Sequence, residues 1–335
     1  MSAPSIPPAP QVLPARHGRG GPPPGDPPAG PLTSAELEAV APRRHPDRER
    51  YRRIWHGMYR RDDQPDDLRL RSLALARTWP EGVLRGRSAA LLWGDDSAAP
   101  DAPPEIWLPS TRRAAPGRVY RYGRLPAAAV TERDGVRLTT PLRTCRDLAA
   151  DLPHEDAVVA VDRLCAVDPG LAGTLRAAVA HPAGRGARAL RGVVGDLDPR
   201  AGSADESRAR LVLAAAGVAG FAHGREIRLG RRVLHPGLAD PAARCAVEVR
   251  PGPRSVAERL RDERSWAALR GAGWAVLVVR TTGAVHGGPA PEERLPPAAR
   301  AALMALRSRW PATDLLAPAD RAAAADPHGM WARPA

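Results

Sequence analysis

Residues 275–279 read Ala-Val-Leu-Val-Val, a continuous apolar run of the kind that forms a strand covered on both faces. Such a strand needs a layer on each side, so the neighbouring segments must supply helices and further strands. The flanking patterns do. A helix is predicted over about 203–216, followed by strands near 225–229, near 232–238 and at Cys-Ala-Val-Glu-Val, 245–249. A long helix over about 255–272 precedes the apolar run, and a last helix over about 292–308 follows it. Residues 201–308 therefore read as an α/β sheet domain.

The preceding chain has a different grammar. Thr-Ser-Ala-Glu-Leu-Glu-Ala-Val is a helix start, with Thr33 or Ser34 as N-cap and Glu36 or Glu38 available to the first turn. An arginine-rich connector follows, with Arg43, Arg44, Arg48, Arg50, Arg52 and Arg53. It runs into a segment whose Ile54, Gly57 and Tyr59 suggest a hairpin or wing. Helix, basic connector and hairpin make residues 31–62 a winged-helix-like unit. Residues 63–150 read as an α+β middle domain. Its first helix carries Leu68, Leu70, Leu73, Leu75 and Ala76 on one face, and its second closes at Gly94 as a C-cap. Strands are expected at 105–108 and 118–122. Thr140-Pro141 opens a helix with Leu142, Cys145, Leu148 and Ala149 at helical spacing. Residues 151–200 are a helical connector, broken near Pro169 and at 181–186. The whole is an α/β and α+β multidomain chain.

Composition bounds the rest. The 38 prolines and 31 glycines crowd the first thirty residues, the stretch around 95–104 and the end of the chain. Residues 1–30 and 309–335 lack the apolar mass to offset the entropy of ordering, and are expected to be disordered tails. All 50 basic residues are Arg, with no Lys and no Asn, as a GC-rich genome would encode. Arginine content alone is therefore a poor indicator of nucleic-acid binding. Net charge is the better one, because sign does not follow codon choice: at +13, the chain attracts polyanions, and DNA is the expected partner. Cys145, Cys165 and Cys245 lie far apart, as buried thiols in a reducing compartment would. The N-terminal residues hold no signal-peptide core and no stretch is apolar enough to span a bilayer, so a cytoplasmic protein without membrane contact is expected.

The stretch from 32 to 282 contains L-T-S-A-E-L, R-S-A-A-L-L-W-G, T-T-P-L-R-T-C-R-D-L-A, G-S-A-D-E-S-R-A-R-L, L-A-D-P-A-A-R-C-A-V-E-V and G-A-G-W-A-V-L-V-V-R. In order and spacing these resemble an actinobacterial family that joins an AbiEi-type antitoxin winged-helix region to a very-short-patch-repair-like endonuclease domain. The resemblance implies a restriction-endonuclease-like fold for the C-terminal domain. It also implies metal-assisted phosphodiester hydrolysis, in which convergent carboxylates hold Mg²⁺, a hard cation that demands oxygen ligands.

Carried over residue by residue, Glu206 matches the family's helix glutamate, although Ser203-x-x-Glu206 is also the spacing of a capping box. Glu248 matches the central-strand glutamate, and Asp262 an aspartate of the following helix, which a surface ion pair would explain equally well. Glu206, Glu248 and Asp262 are thus the candidate catalytic residues. Departures are as informative. The family's strand aspartate is Gly237 here, its second acid is Arg250, its helix asparagine is Ala267, and its downstream histidine is missing. Asp240 is available with Glu248 as a metal ligand only if the site is active, and it lies about 10 Å along the strand from Gly237 and on the other face. Arg250, with its guanidinium fork, is the candidate phosphate contact of this domain.

Three functions follow. The first is a DNA-binding protein with an inactive endonuclease-like domain and no cofactor, using Arg43, Arg44, Arg48, Arg50, Arg52, Arg53 and Arg250. The second is a Mg²⁺-dependent DNA endonuclease using Glu206, Glu248 and Asp262. The third, on the N-terminal resemblance alone, is an antitoxin-like autoregulator with a toxin partner. His56 in the wing is read as an exposed structural histidine. Trp55, Trp79, Trp93, Trp107 and Trp266, one per element, are read as packing residues and not as a base-stacking platform.

Overall fold

The computed structural model describes residues 30–180, 186–250, 252, 255–280 and 295–316. Most of both expected tails lies outside these residues, as does most of the expected break at 181–186. The chain divides into two compact units: residues up to 153 with 167–195, and residues 154–166 with those from 196 onward. The expected connector 151–200 is thus shared between them and is no separate domain.

In the first unit, β1 (Leu32–Thr33), β2 (Tyr51–Trp55) and β3 (Met58–Arg61) form an antiparallel sheet in the order β1-β3-β2. Helix α1 (Ser34–Val40) begins at a full capping box: the Thr33 side chain accepts from the Glu36 amide, and the Glu36 carboxylate accepts from the Thr33 amide. Leu32, Leu37, Ala41 and Tyr51 make a small core of their own. The hairpin expected around Gly57 is present, and Gly57 takes the positive φ of 81° that its tight turn requires.

A five-stranded mixed sheet follows, in the order β6-β5-β4-β8-β7, from β4 (Val83–Leu84), β5 (Glu105–Leu108), β6 (Val119–Tyr122), β7 (Val130–Arg133) and β8 (Val136–Thr139). Helices α2 (Leu68–Thr78), α3 (Gly86–Trp93) and α4 (Pro141–Asp151) accompany it. Gly94 closes α3 in the left-handed region, as its position in the sequence predicts. Arg85 is buried and holds sheet and helix together, reaching Glu105 at 2.9 Å, Asp147 at 3.3 Å and Asp151 at 2.7 Å. Helices α6 (Pro169–Ala180) and α7 (Ala187–Gly195) belong to the same unit, whereas α5 (His154–Val167) lies almost wholly in the second.

The second unit contains α8 (Ala204–Ala215), the hairpin β9 (Ile227–Leu229) and β10 (Arg232–Leu234), then β11 (Leu238–Asp240), β12 (Cys245–Arg250), α9 (Val256–Gly271), β13 (Ala275–Arg280), α10 (Pro297–Arg309) and β14 (Asp314–Leu316). The sheet order is β11-β12-β13-β14, with only the β12–β13 pair parallel. β14 lies within the segment expected to be a tail, so that expectation is corrected: Leu315 is buried, and Asp314 joins the sheet and binds Arg280 at 2.7 Å. β12 is buried on both faces. Cys245, Val247 and Val249 pack with Leu213 of α8 and Leu303 and Leu306 of α10, while Ala246 packs with Trp266 and Leu269 of α9. By alternation, Glu248 shares the face of Ala246 and looks toward α9. All three cysteines are buried and outside any disulfide, and burial pushes Cys245 up to about 12. Among the described residues no helix is long and apolar enough to cross a membrane.

Candidate functional site

The sequence brings Glu248 to the end of a strand that is otherwise apolar, two residues before Arg250. Both side chains therefore point to the same face of β12, and α9 covers that face. Arg250 Nη2 lies 2.8 Å from Glu248 Oε2. The same guanidinium forks onto Asp262 of α9, with Nε 2.9 Å from Oδ2 and Nη2 3.1 Å from Oδ1. It also lies over the Trp266 indole, one helical turn on from Asp262, with the guanidinium carbon 5.7 Å from the ring centroid. Two of the three candidate catalytic carboxylates thereby share one internal cation.

This arrangement settles the place of Arg250 in the molecule. Only 18% of its side chain is exposed and its donors are engaged, so it is not the DNA contact that its position in the sequence suggested. Asp262 is ion-paired, as the plainer reading of it held, but with a residue on the neighbouring strand and in a half-buried site.

Glu206 stands at the start of α8. Its amide donates to the Ser203 hydroxyl at 3.2 Å, the first half of a capping box. Its carboxylate does not complete the box at Ser203, and accepts instead from the Gly202 amide at 2.9 Å. On its other side lies Gly237. A Cβ there would stand 3.2 Å from Glu206 Cδ and 3.2 Å from the Val247 carbonyl oxygen. Because Leu238 pairs with Val247, one further step of the antiparallel register sets Gly237 beside Glu248. The position where the resembled family carries its aspartate is therefore the place between Glu206 and Glu248, and here it holds no side chain.

Asp240 does not replace it. Its carboxylate is turned into the β11–β12 connection, where Oδ1 accepts from the amides of Ala242 at 2.9 Å and Ala243 at 3.3 Å. The expectation of Asp240 as a metal ligand is corrected on that ground, since an oxygen committed to a turn three residues from Gly237 cannot serve both.

The electrostatics follow from burial. Glu248 is 6% exposed, and loss of solvent pushes its carboxyl up to about 7, against the pull of Arg250 and with the repulsion of Glu206 and Asp262. One guanidinium shared among crowded acids cannot hold each fully ionised. A Mg²⁺ ion needs several oxygen donors in near-octahedral array and suffers repulsion from a fixed cation. With Gly237 lacking a side chain and Arg250 bound to both Glu248 and Asp262, the residues present do not fit that ion. Among the described residues no group of three or more His, Cys, Asp or Glu is placed to hold a metal.

His223 is a neighbour that the sequence did not flag. It is fully buried; Nδ1 donates to the Gly237 carbonyl at 2.7 Å and stands 3.7 Å from Glu206 Oε2. Because a carbonyl only accepts, the proton sits on Nδ1, and Nε2 is left buried with no hydrogen-bond partner among the described residues. Burial lowers the ring from the usual histidine value, against the pull of the Gly237 carbonyl, Asp198 and Glu206. A lone histidine fourteen residues from Gly237 in sequence carries no local signal of this contact.

Comparison with known proteins adds nothing to this geometry. No family profile, curated protein or solved structure matches the chain.

In the first unit, the predicted DNA contacts differ in their freedom. Arg43, Arg44 and Arg53 are exposed, and Arg50 is half-buried. Arg48 is committed to structure: its Nη1 donates to Glu38 at 2.8 Å and to the Ala41 carbonyl at 2.7 Å. Arg52 is exposed but leans on the Glu49 carbonyl at 2.6 Å, with Asp62 3.8 Å away.

Proposed function

We propose that the chain is a DNA-binding protein whose C-terminal unit keeps an endonuclease-like arrangement of strands and carboxylates without the capacity to cut. The observation that carries this reading is Arg250 bound at once to Glu248 and Asp262. A permanently charged group among the acids that would hold Mg²⁺ competes with the ion for the same oxygens. Gly237 adds to the argument by leaving the place between Glu206 and Glu248 without a ligand.

Support for DNA as the partner comes from the net charge of +13 and from the exposed arginines Arg43, Arg44 and Arg53 along the connector and hairpin. A hairpin joined at Gly57 with basic residues on β2 supports a wing-like contact with the phosphate backbone. A titration of labelled duplex DNA tests it. Affinity is expected to fall steeply with salt, by about 0.9 in log–log slope per phosphate contact, and to drop on the charge reversal Arg50→Glu/Arg52→Glu/Arg53→Glu. Unchanged affinity in that variant counts against the reading. The endonuclease alternative requires Arg250 to leave Asp262. The antitoxin alternative has no observation in its favour beyond the N-terminal resemblance.

A further inference from the structure

We infer that the five-stranded sheet of the first unit carries a second phosphate-binding surface, an arginine track that continues from the hairpin; the inference rests on the DNA-binding reading above and says where on the chain DNA lies. Between residues 109 and 139 stand seven arginines against two acids, Glu132 and Asp134. The fold gathers several of them along one path.

The path begins where the hairpin meets the sheet. Trp55, at the end of β2, donates through Nε1 to Thr78 Oγ1 of α2 at 3.1 Å. The next residue, Trp79, meets Tyr120 of β6 edge-to-face at 6.4 Å. Over these two indoles lie two guanidiniums, Arg118 at 4.7 Å from the Trp55 centroid and Arg112 at 5.2 Å from that of Trp79. Arg112 also approaches Glu81 at 3.6 Å, and Arg137 donates to the Glu81 carbonyl at 2.8 Å. Arg137 and Arg124 then line an open hollow of about 650 Å³ with Leu125, Pro126, Ala127 and Val130. Each step of the track is a contact, so hairpin, β6 edge and hollow form one continuous surface.

The chemistry of the stacks names the ligand. A guanidinium seated over an indole keeps a defined position. Such a group loses little entropy on forking to a phosphate oxygen. Arg112 spends one N–H on Ser110 Oγ at 2.7 Å and turns another toward Glu81, and a phosphate would compete for the latter. The indoles, being covered, are not free to stack bases, so the surface suits the backbone of a duplex and carries no base readout. Glu81 is the one carboxylate that the track's own contacts involve, and Arg112 and Arg137 flank it.

The test uses the full chain and a fluorescein-labelled duplex of arbitrary sequence, with anisotropy read across a salt series. Arg112→Gln/Arg118→Gln/Arg124→Gln/Arg137→Gln is expected to weaken binding at least about tenfold and to lower the log–log salt slope by about 3–4. The fourfold Arg→Lys variant keeps the charge and should keep most of the slope. If the glutamine variant melts early because the indoles are uncovered, Arg124→Gln/Arg137→Gln, which uncovers no ring, should still lower the slope by about 2. Should the wild type fail to bind DNA at all, the DNA-binding reading fails with it. Should the wild type bind, the Arg52→Glu/Arg53→Glu variant lose affinity and the track variants lose none, only the track is overturned. Polyglutamate binding as tightly as DNA would overturn it in favour of an acidic protein partner.

Discussion

Replacing Arg250 with Ala should do more damage than its partly exposed position suggests. The substitution removes the fork onto Asp262, the contact with Glu248 and the stack on Trp266. What remains is two acids facing each other, one of them buried. Breaking a buried ion pair by deleting one partner costs about 3–5 kcal/mol, and the partial exposure of Arg250 places the expected loss at the lower end, about 3 kcal/mol at pH 8. The loss should depend on pH. Glu248 takes up its proton near 7, and without Arg250 to stabilise its charge it should do so at still higher pH. At pH 5 that carboxyl is neutral in wild type and variant alike, and the penalty should shrink by about 1.4 kcal/mol, the worth of the one unit between about 7 and pH 8, leaving about 1.6 kcal/mol for the lost Asp262 and Trp266 contacts. Hydrogen exchange of the β12 and β13 amides at the two pH values reads this locally, with urea unfolding as the global check. A variant as stable as wild type at pH 8, or one equally destabilised at both, would refute the reasoning.

Other consequences are simpler to state. His223 is held below its usual range, so the unfolded chain binds a proton that the folded chain refuses; its stabilising contribution is present above about pH 6.5 and is lost as pH falls below that. Glu248 acts oppositely, since its raised value makes the fold gain stability as pH falls from about 7 toward the ordinary carboxylate range. In acid titrations of stability, His223→Gln should therefore flatten the loss between pH 6.5 and 5, and Glu248→Gln should steepen it; slopes unchanged by either would contradict the assignments. Gly237→Asp puts a side chain against Glu206 and the Val247 carbonyl, and should cost about 1–3 kcal/mol, more at pH 8 than at pH 5 because the new carboxylate repels its neighbours. Thermal melts at the two pH values check that order.

Much of the second unit was legible because its elements are long and strongly patterned. The apolar run at 275–279 is β13, the pattern at 245–249 is β12, and the helix between them falls within a residue or two of its expected ends. The middle sheet was not legible in the same way. β4 has two residues, too few for alternation to stand out, and β7 and β8, although as long as β5 and β6, carry none of the aromatic residues that mark those two as strands. β14 was missed because a proline-rich ending reads as a tail, whereas Asp314 is held by Arg280 from β13, thirty-four residues earlier. The candidate site shows the same division. Sequence spacing put Glu248 and Arg250 on one face of a strand, but whether Arg250 would reach out to DNA or in to Asp262 depends on how α9 packs. Arg85 makes the same point: its partners at 105, 147 and 151 share no local pattern.

Incubation of the purified chain with supercoiled plasmid, in Mg²⁺ and separately in Mn²⁺, tests the central claim most directly. With Arg250 occupying the carboxylates, the plasmid should be retarded on a gel at low salt and remain uncut in either metal. Nicking that appears with the wild type and disappears with Glu248→Ala would contradict the account.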